Sequence, residues 1–437
     1  MTVTIAPGKI SGGVSAIPSK SHVHRLLICA ALADRETFVV SGDSGAQDIE
    51  ATIACLGALG AQITRSEGGF TVVPINRRNS IPPDSGAAVI LPCGESGSTL
   101  RFLLPVVCAL GASAAFRMEG RLPQRPLAPL DAELQRGGIR LWREGADILR
   151  CEGRLSPSNY HLSGDVSSQY ISGLLFTLPL LDAPSRLTVA HPVESADYIA
   201  MTLEALDAFG RKPTITEHCG KAPNETWYDS APSGAFISPR RIAAEGDWSN
   251  AAFWLCAGAM PGGDVQVSGL KQNSAQGDRE VCAILARMGA QVNWEGGTLR
   301  VREGRRLGTE IDARAIPDLV PVLAAVAAVA EGTTVIRNAA RLRLKESDRL
   351  ATTTATLTAL GADITETEDS LVIEGRRHLN GGAADAAGDH RIAMMAAIAS
   401  AACAGTVRIC CAQAVNKSYP AFWSDCAALG KTVKVEE

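Results

Sequence analysis

Cysteine is common in this chain but never paired as chemistry would need it: twelve occur in 437 residues, and no C-x-x-C is among them. Scattered through a long chain, they read as structural or neutral free thiols rather than a disulfide frame or a zinc site. Cys410 and Cys411 are merely adjacent. The seven histidines form no H-x-x-x-H or H-E-x-x-H pair, so no metal is expected. No apolar run, such as Leu319 to Ala330, reaches the ~20 residues that cross a bilayer. A basic excess is missing too: the net charge is −4, which argues against nucleic acid or a membrane surface as partner. Any cationic site must be local. The start, "MTVTIAPGKISGG", has neither an apolar signal core nor an arginine-rich transit pattern, and a cytoplasmic location is expected. What is present, 46% hydrophobic and 20% charged residues, describes an ordinary globular protein of two or three domains.

One phrase recurs six times, a helix ending in Gly followed by a short strand. It appears as "LGALGAQIT" (Gly60), "LQRGGIRLW" (Gly138), "LDAFGRKPTI" (Gly210), "LARMGAQVNW" (Gly289), "LTALGADIT" (Gly361) and "CAALGKTVKV" (Gly430). Successive spacings of 78, 72, 79, 72 and 69 residues exceed solenoid periods and mark a large repeated unit. Each unit also carries a helix that is apolar nearly all round, "HVHRLLICAALA" and "DLVPVLAAVAAVA" being two of them. Such a helix must be buried. The unit reads as strand, buried helix, strand, surface helix with its Gly cap, then strands. Six units give an α/β (α+β) protein of two three-repeat domains, with a boundary near Arg240 to Phe253.

The loops ahead of the buried helices are unusually polar. "IPSKSHVHR" offers Lys20, Ser21 and Arg25; "CGESGSTLR" offers a turn at Gly97 and Arg101; "GDVSSQY" offers Ser167, Ser168 and Gln169. "IPD" supplies Asp318, and "GDHR" supplies Asp389, His390 and Arg391. Singly, each has a plain reading: Ser168 or Asp318 as an N-cap, His390 as a satisfied histidine, the arginines as partners of nearby carboxylates. Their recurrence at equivalent places favours a site, because parallel buried helices would bring their N-termini together. In "RLRLKESDRLATTTATLTALGA" the alternation of Arg341, Arg343 and Lys345 predicts a strand with one basic face that delivers Lys345 to the start of a helix over about 347–360, with Arg349 in its first turns. Cations at a helix start are unfavourable unless an anion binds there. Arg125 in "LPQRPLAPL", Lys417 in "NKSYPAFW", and Ser195 and Tyr198 in "HPVESADYIAMTL" complete a set suited to a small substrate with at least two phosphates or carboxylates. Carboxylates among so many cations are natural acid–base groups.

These motifs resemble the EPSP synthase family over essentially the whole chain: "PSKSHVHR", "QRPLAPL", "DVSSQY", "IPDLVP", "LKESDRL", "DHRIAM" and "NKSYPAFW" are similar to its signatures and stand in its order. The resemblance implies a two-domain inside-out α/β barrel, each domain three βαβαββ repeats with buried parallel helices. It implies domains of 1–19 plus 246–437 and of 20–245, closing on substrate in the cleft between them. The implied reaction moves the enolpyruvyl group of phosphoenolpyruvate to the 5-hydroxyl of shikimate 3-phosphate, with no cofactor. Lys20, Asp318 and Glu346 would be catalytic. Shikimate 3-phosphate would meet Lys20, Ser21, Arg25, Ser167, Ser168, Gln169, Ser195, Tyr198, Asp318, Arg341 and Lys345. Phosphoenolpyruvate would meet Lys20, Gly97, Arg125, Gln169, Arg349, His390, Arg391 and Lys417. These two small molecules are the expected partners, and a monomer is expected because no long apolar face stands out.

Some positions depart from the family pattern. Glu95 stands where many members have Asn, and Arg341 where one branch has Asn. Gly97 is kept where Ala accompanies glyphosate resistance, which implies sensitivity. A sibling family acting on UDP-N-acetylglucosamine has a K-N-A start and a loop cysteine that "SKSHVHR" and Arg121 to Arg125 lack. RNA 3′-phosphate cyclases share related units but suit neither the acidic charge nor the motifs, and retention of Lys20, Asp318, Glu346 and Lys417 argues against a non-catalytic anion binder.

Overall fold

Two kinds of helix alternate along the computed structural model of the chain, which describes residues 1–42, 45–76, 88–218, 224–232 and 235–436. In chain order they are α1 (Lys20–Ala31), α2 (Gln47–Ala58), α3 (Gly97–Leu110), α4 (Leu130–Arg136), α5 (Ser168–Thr177), α6 (Ala196–Ala208), α7 (Trp248–Ala259), α8 (Val281–Arg287), α9 (Val320–Ala327), α10 (Arg349–Ala359), α11 (His390–Ala399) and α12 (Phe422–Ala428). The odd-numbered helices are the apolar ones. All eight residues of α9 and all ten of α11 are buried. The even-numbered helices bury one stripe; α10 buries Arg349, Leu350, Thr353, Thr356 and Leu357, spaced at three and four residues. After each even-numbered helix comes the glycine read from sequence, and all six take positive φ, between 65° at Gly210 and 100° at Gly60. Only Gly enters that region without steric strain, so the helix ends where the sequence marks it.

Six four-stranded sheets wall these helices. In the repeat built from 89–94, 114–118, 140–144 and 148–152, the first two strands run parallel across α3, and the others pair antiparallel in a hairpin. The other five sheets follow the same plan, three of them with a strand borrowed from the N-terminal segment or the middle of the chain. Ser11–Ser15 lies parallel to Asp264–Ser268, Arg241–Ala243 lies parallel to Thr37–Val40, and Thr2–Ile5 sits between Val407–Cys410 and Val433–Glu436.

The chain divides into two compact units. One comprises Met1–Ser19, Ser44–Ala46 and Glu245–Glu437, the other Lys20–Asp43 and Gln47–Ala244. In the first, Trp254 of α7 stacks on Phe422 of α12 at 4.7 Å and donates its indole N–H to the Tyr419 hydroxyl at 3.1 Å. In the second, α3 and α5 approach so closely at Gly173 that a Cβ there would lie 2.3 Å from the Arg101 carbonyl oxygen. That Gly is required by packing.

One element differs from expectation. The alternation Arg341, Arg343, Lys345 does not form a strand: Ala340–Leu344 is a 3-10 turn, and α10 begins at Arg349 behind an N-cap from Asp348. The Asp348 carboxylate accepts the Ala351 N–H at 3.1 Å, and this local cap overrides the alternating pattern before it. Every described cysteine is a free thiol; Cys219 lies outside the described residues.

Candidate active site

Each unit gathers polar side chains at the N-terminal ends of its buried helices. In the unit built mainly from 20–244, Lys20 opens α1 and its Nζ lies 2.7 Å from an Asp48 carboxylate oxygen on α2. One helical turn on, Arg25 is 2% exposed. It donates to Thr202 Oγ1 at 2.8 Å, the Ser21 carbonyl at 2.6 Å and the Tyr198 carbonyl at 2.8 Å, with its guanidinium 5.0 Å from the Phe102 ring centre. Burial pulls its pKa down to about 10, so it stays charged at neutral pH. Three of its five N–H groups are thus tied to α1 and α6. Ser195 sits at the start of α6 with φ 54° and is 5% exposed.

The turn at Gly97 is built more tightly. Ser96 caps α3 by accepting the Thr99 N–H at 3.2 Å. A Cβ on Gly97 would lie 2.7 Å from Arg101 Nη1 and 2.8 Å from Arg125 Nη1, so two guanidinium groups close on this backbone. Arg101 donates to Gln169 Oε1 at 2.8 Å, and Gln169 Nε2 donates to Ser98 Oγ at 3.0 Å, tying α5 to α3. Ser167, not Ser168, caps α5, accepting the Gln169 N–H at 3.3 Å. A chain of hydroxyls joins these pieces: His24 Nδ1 to Thr52 Oγ1, Thr52 to Thr99, and Thr99 to Ser96, each at 2.7 Å. Burial, with Lys20 and Arg25 nearby, holds His24 far below the usual imidazole range and therefore neutral.

The other unit is organised around Arg349, which is 1% exposed. Its guanidinium donates to Asp389 at 2.8 Å, to Asp318 at 2.7 Å and to Glu346 at 2.7 Å. Burial opposes its charge, but Asp389, Glu346 and Asp318 outweigh that and raise its pKa. Burial likewise opposes the Asp389 carboxylate, and Arg349 with its neighbours still holds it below the ordinary range. The cation at the start of α10 is therefore answered first by the protein's own carboxylates. Arg391 from α11 donates to Asp318 Oδ2 at 3.1 Å and to Ser249 Oγ of α7 at 2.7 Å. The N-terminal ends of α7, α9 and α11 therefore meet, as the recurrence of polar loops implied. Lys345 Nζ is 3.7 Å from Asp318, Lys417 Nζ donates to the Gly388 carbonyl at 2.7 Å, and His390 is buried at the start of α11. Arg341 donates to the Arg314 carbonyl at 2.9 Å, and Arg343 turns to Asp348 and Glu366 instead. The basic run thus divides between directions.

The residues expected from sequence fall into these two clusters: Lys20, Ser21, Arg25, Gly97, Arg125, Ser167, Ser168, Gln169, Ser195 and Tyr198 in one unit, Asp318, Arg341, Lys345, Glu346, Arg349, His390, Arg391 and Lys417 in the other. Sequence reasoning omitted Asp48 and Ser249, and did not make Arg101 or Asp389 site members although both stand in the quoted motifs. Asp48 lies on a surface helix, where an acid in the first turn is ordinary. Among the described residues, no group of His, Cys, Asp and Glu could hold a metal ion.

Comparison with known proteins agrees with this architecture. The EPSP synthase of Acinetobacter baumannii superposes with a TM-score of 0.78 at 25% identity, covering the whole of both chains. The enolpyruvyl transferase NikO of Streptomyces tendae, at 19% identity and a TM-score of 0.76 over 99% of this chain and 98% of that one, has the same fold. The two define an enolpyruvyl-transferase architecture of inside-out repeats. The family model described as EPSP synthase (3-phosphoshikimate 1-carboxyvinyltransferase) matches residues 5–426. A 3-phosphoshikimate 1-carboxyvinyltransferase of Clostridium beijerinckii is 41% identical across 98% of this chain and 97% of its own, and one of Clostridium perfringens is 40% identical across 99% of each. The chain belongs to the EPSP synthase family.

Proposed function

We propose that this chain transfers the enolpyruvyl group of phosphoenolpyruvate to the 5-hydroxyl of shikimate 3-phosphate, releasing phosphate. The observation that carries the reading is the set of three carboxylates on Arg349, with Arg391 and Lys345 beside Asp318. Such a set orients acid–base groups beside cations that suit an anionic substrate. The hydroxyl oxygen bonds to C2 of phosphoenolpyruvate and its proton leaves, while C3 gains a proton, giving a tetrahedral adduct. Elimination then breaks the C2–O bond to phosphate as a C3 proton departs, restoring the double bond. Asp318 and Glu346 exchange these protons, with Lys20 assisting.

The cations act by holding the reactants in attack geometry and by compensating their charge. Shikimate 3-phosphate is assigned Lys20, Ser21 and Arg25 at its carboxylate end, and Ser167, Ser168 and Ser195 at its phosphate, with Gln169, Tyr198, Arg341 and Lys345 around it. Phosphoenolpyruvate is assigned the Gly97 backbone, Arg125, Arg349, His390, Arg391 and Lys417. No cofactor enters the reaction. The chain acts as a cytoplasmic monomer in this reading. The free thiols favour a reducing compartment, and the exposed large apolar residues, such as Ile90, Trp142 and Ile237, are scattered along the sequence. Among the described residues, no helix is long and apolar enough to cross a membrane.

Phosphorus NMR of the purified protein with both substrates tests this directly. Phosphate and an enolpyruvyl product should appear with shikimate 3-phosphate and vanish in Lys20→Ala. Turnover only with UDP-N-acetylglucosamine would move the chain to the sibling activity, and turnover with neither would sink the reading.

A further inference from the structure

A buried line of polar groups runs from α1 through α2 to the turn at Gly97, and none of it takes part in the reaction proposed above. His24 of α1, Thr52 of α2, Thr99 of α3 and the cap Ser96 are each at most 1% exposed, and neighbours along the line stand 2.7 Å apart. Each hydroxyl has a single proton, so the line has a direction. Thr99 donates to Ser96 Oγ at 2.7 Å, its other acceptor, the Asp48 carbonyl, being 3.4 Å away. With that proton spent, Thr99 must receive from Thr52, and Thr52 in turn from the Nδ1–H of a neutral His24. The ring then leaves Nε2, which is buried without a hydrogen-bond partner, as a bare lone pair. The opposite order would bury an unpaired Nε2–H donor, the rarer fault.

The line ends on the group that sets the start of α3. Ser96 Oγ also accepts the Thr99 N–H at 3.2 Å, and the Ser96 carbonyl accepts the Leu100 N–H at 3.2 Å. The N–H groups of Gly97 and Ser98, the first two of the helix, stay out of its own hydrogen bonds. Because Arg101 and Arg125 close tightly on Gly97, a small shift of the cap moves this turn against them. We propose that His24 and Thr52 are positioning residues for phosphoenolpyruvate: by donating in sequence from His24 Nδ1–H through Thr52 and Thr99 to Ser96, they fix the α3 cap and hold the Gly97 backbone in place. A second rung between the same two helices, Lys20 with Asp48 at 2.7 Å one turn nearer their starts, keeps α1 and α2 in this register. The inference rests on the role proposed above for Gly97.

Thr52→Val cuts the line at its middle, and Thr52→Ser restores the hydroxyl. Nitrogen-15 NMR of histidine-labelled, ligand-free protein should show one ring, missing in His24→Asn, that is protonated at Nδ1 in the wild type and in Thr52→Ser and loses that preference in Thr52→Val. The KM for phosphoenolpyruvate should rise severalfold in Thr52→Val and recover in Thr52→Ser, with kcat and the KM for shikimate 3-phosphate staying within about twofold of wild type. A wild-type ring protonated at Nε2, or an unchanged KM for phosphoenolpyruvate in Thr52→Val, would overturn the proposal. So would equal losses in kcat and in both KM values, which mark a general loosening of the unit. If Thr52→Val does not fold, Thr99→Val cuts the next link and is read in the same way, beside the wild-type tautomer. A wild type that turns nothing over would instead sink the functional reading, while the tautomer still decides the direction of the line.

Discussion

The two units end their buried helices with different chemistry. In the unit built mainly from 20–244, Arg25 and Arg101 donate to a hydroxyl, backbone carbonyls and an amide, and Asp48 meets Lys20. In the unit of residues 245–436, Arg349 alone engages three carboxylates. In the function proposed above, Arg25 meets one end of an anionic substrate. Arg349 orients Asp318 and Glu346, the acids that move protons in the function proposed above. The same repeat, placed twice, thus surrounds its cations with two kinds of partner.

The largest effect expected is on turnover. Glu346→Gln removes one acid while Asp318 and Asp389 remain on Arg349, so kcat should fall about 10²- to 10⁴-fold with the fold retained. Rapid-quench assays beside circular dichroism would show it, and a fall below about tenfold would deny Glu346 a proton-transfer role. Arg349→Ala should cost stability as well, because it strands buried carboxylates; the loss should be about 3–5 kcal/mol by denaturant unfolding. The equivalent change in the other unit should differ in kind. Gly97→Ala introduces a Cβ against Arg101 and Arg125, whose ends must yield, so KM for phosphoenolpyruvate should rise about tenfold or more while the unit still folds.

His24 gives a pH signature to its unit. Folded His24 stays neutral, whereas the unfolded imidazole takes up a proton below its ordinary pKa of 6.5. The unfolded state then binds more protons, so stability should fall as pH drops below that value, by at most about 1.4 kcal/mol per pH unit. His24→Asn should flatten this acid limb in thermal melts between pH 7 and pH 5; an unchanged slope would place the proton uptake elsewhere. The smallest effect concerns the divided basic run. Arg343→Ala should change kcat/KM by less than about twofold, since it pairs with the partly exposed Asp348 and Glu366. Lys345→Ala should cost more, and the reverse order would show that the run acts as one face.

Much of this was legible before any coordinates. The Gly-capped phrase located all six surface helices, because positive φ leaves few residues but Gly at a helix end. The unbroken apolar helices marked what is buried, and the polar loops ahead of them marked the site. The period-2 reading of Arg341 to Lys345 went astray because Asp348 caps the next helix locally and folds the run into a 3-10 turn. Asp48 and Ser249 stayed hidden because each is ordinary where it stands in sequence, and only contacts tens to more than a hundred residues away make them distinctive.

The sequence by itself determined where helices stop, which are buried and which cations stand at their starts, since these follow from local sterics and hydrophobic period. Tertiary structure alone decided partnership: that Arg349 meets Asp389 rather than a solvent anion, that Arg343 pairs with Asp348 and Glu366 while Lys345 lies by Asp318, and that Arg391 reaches Ser249. Charge and hydrogen-bond partners are set by distance in space, and in a repeat protein the residues that meet at helix ends come from successive repeats rather than neighbouring positions.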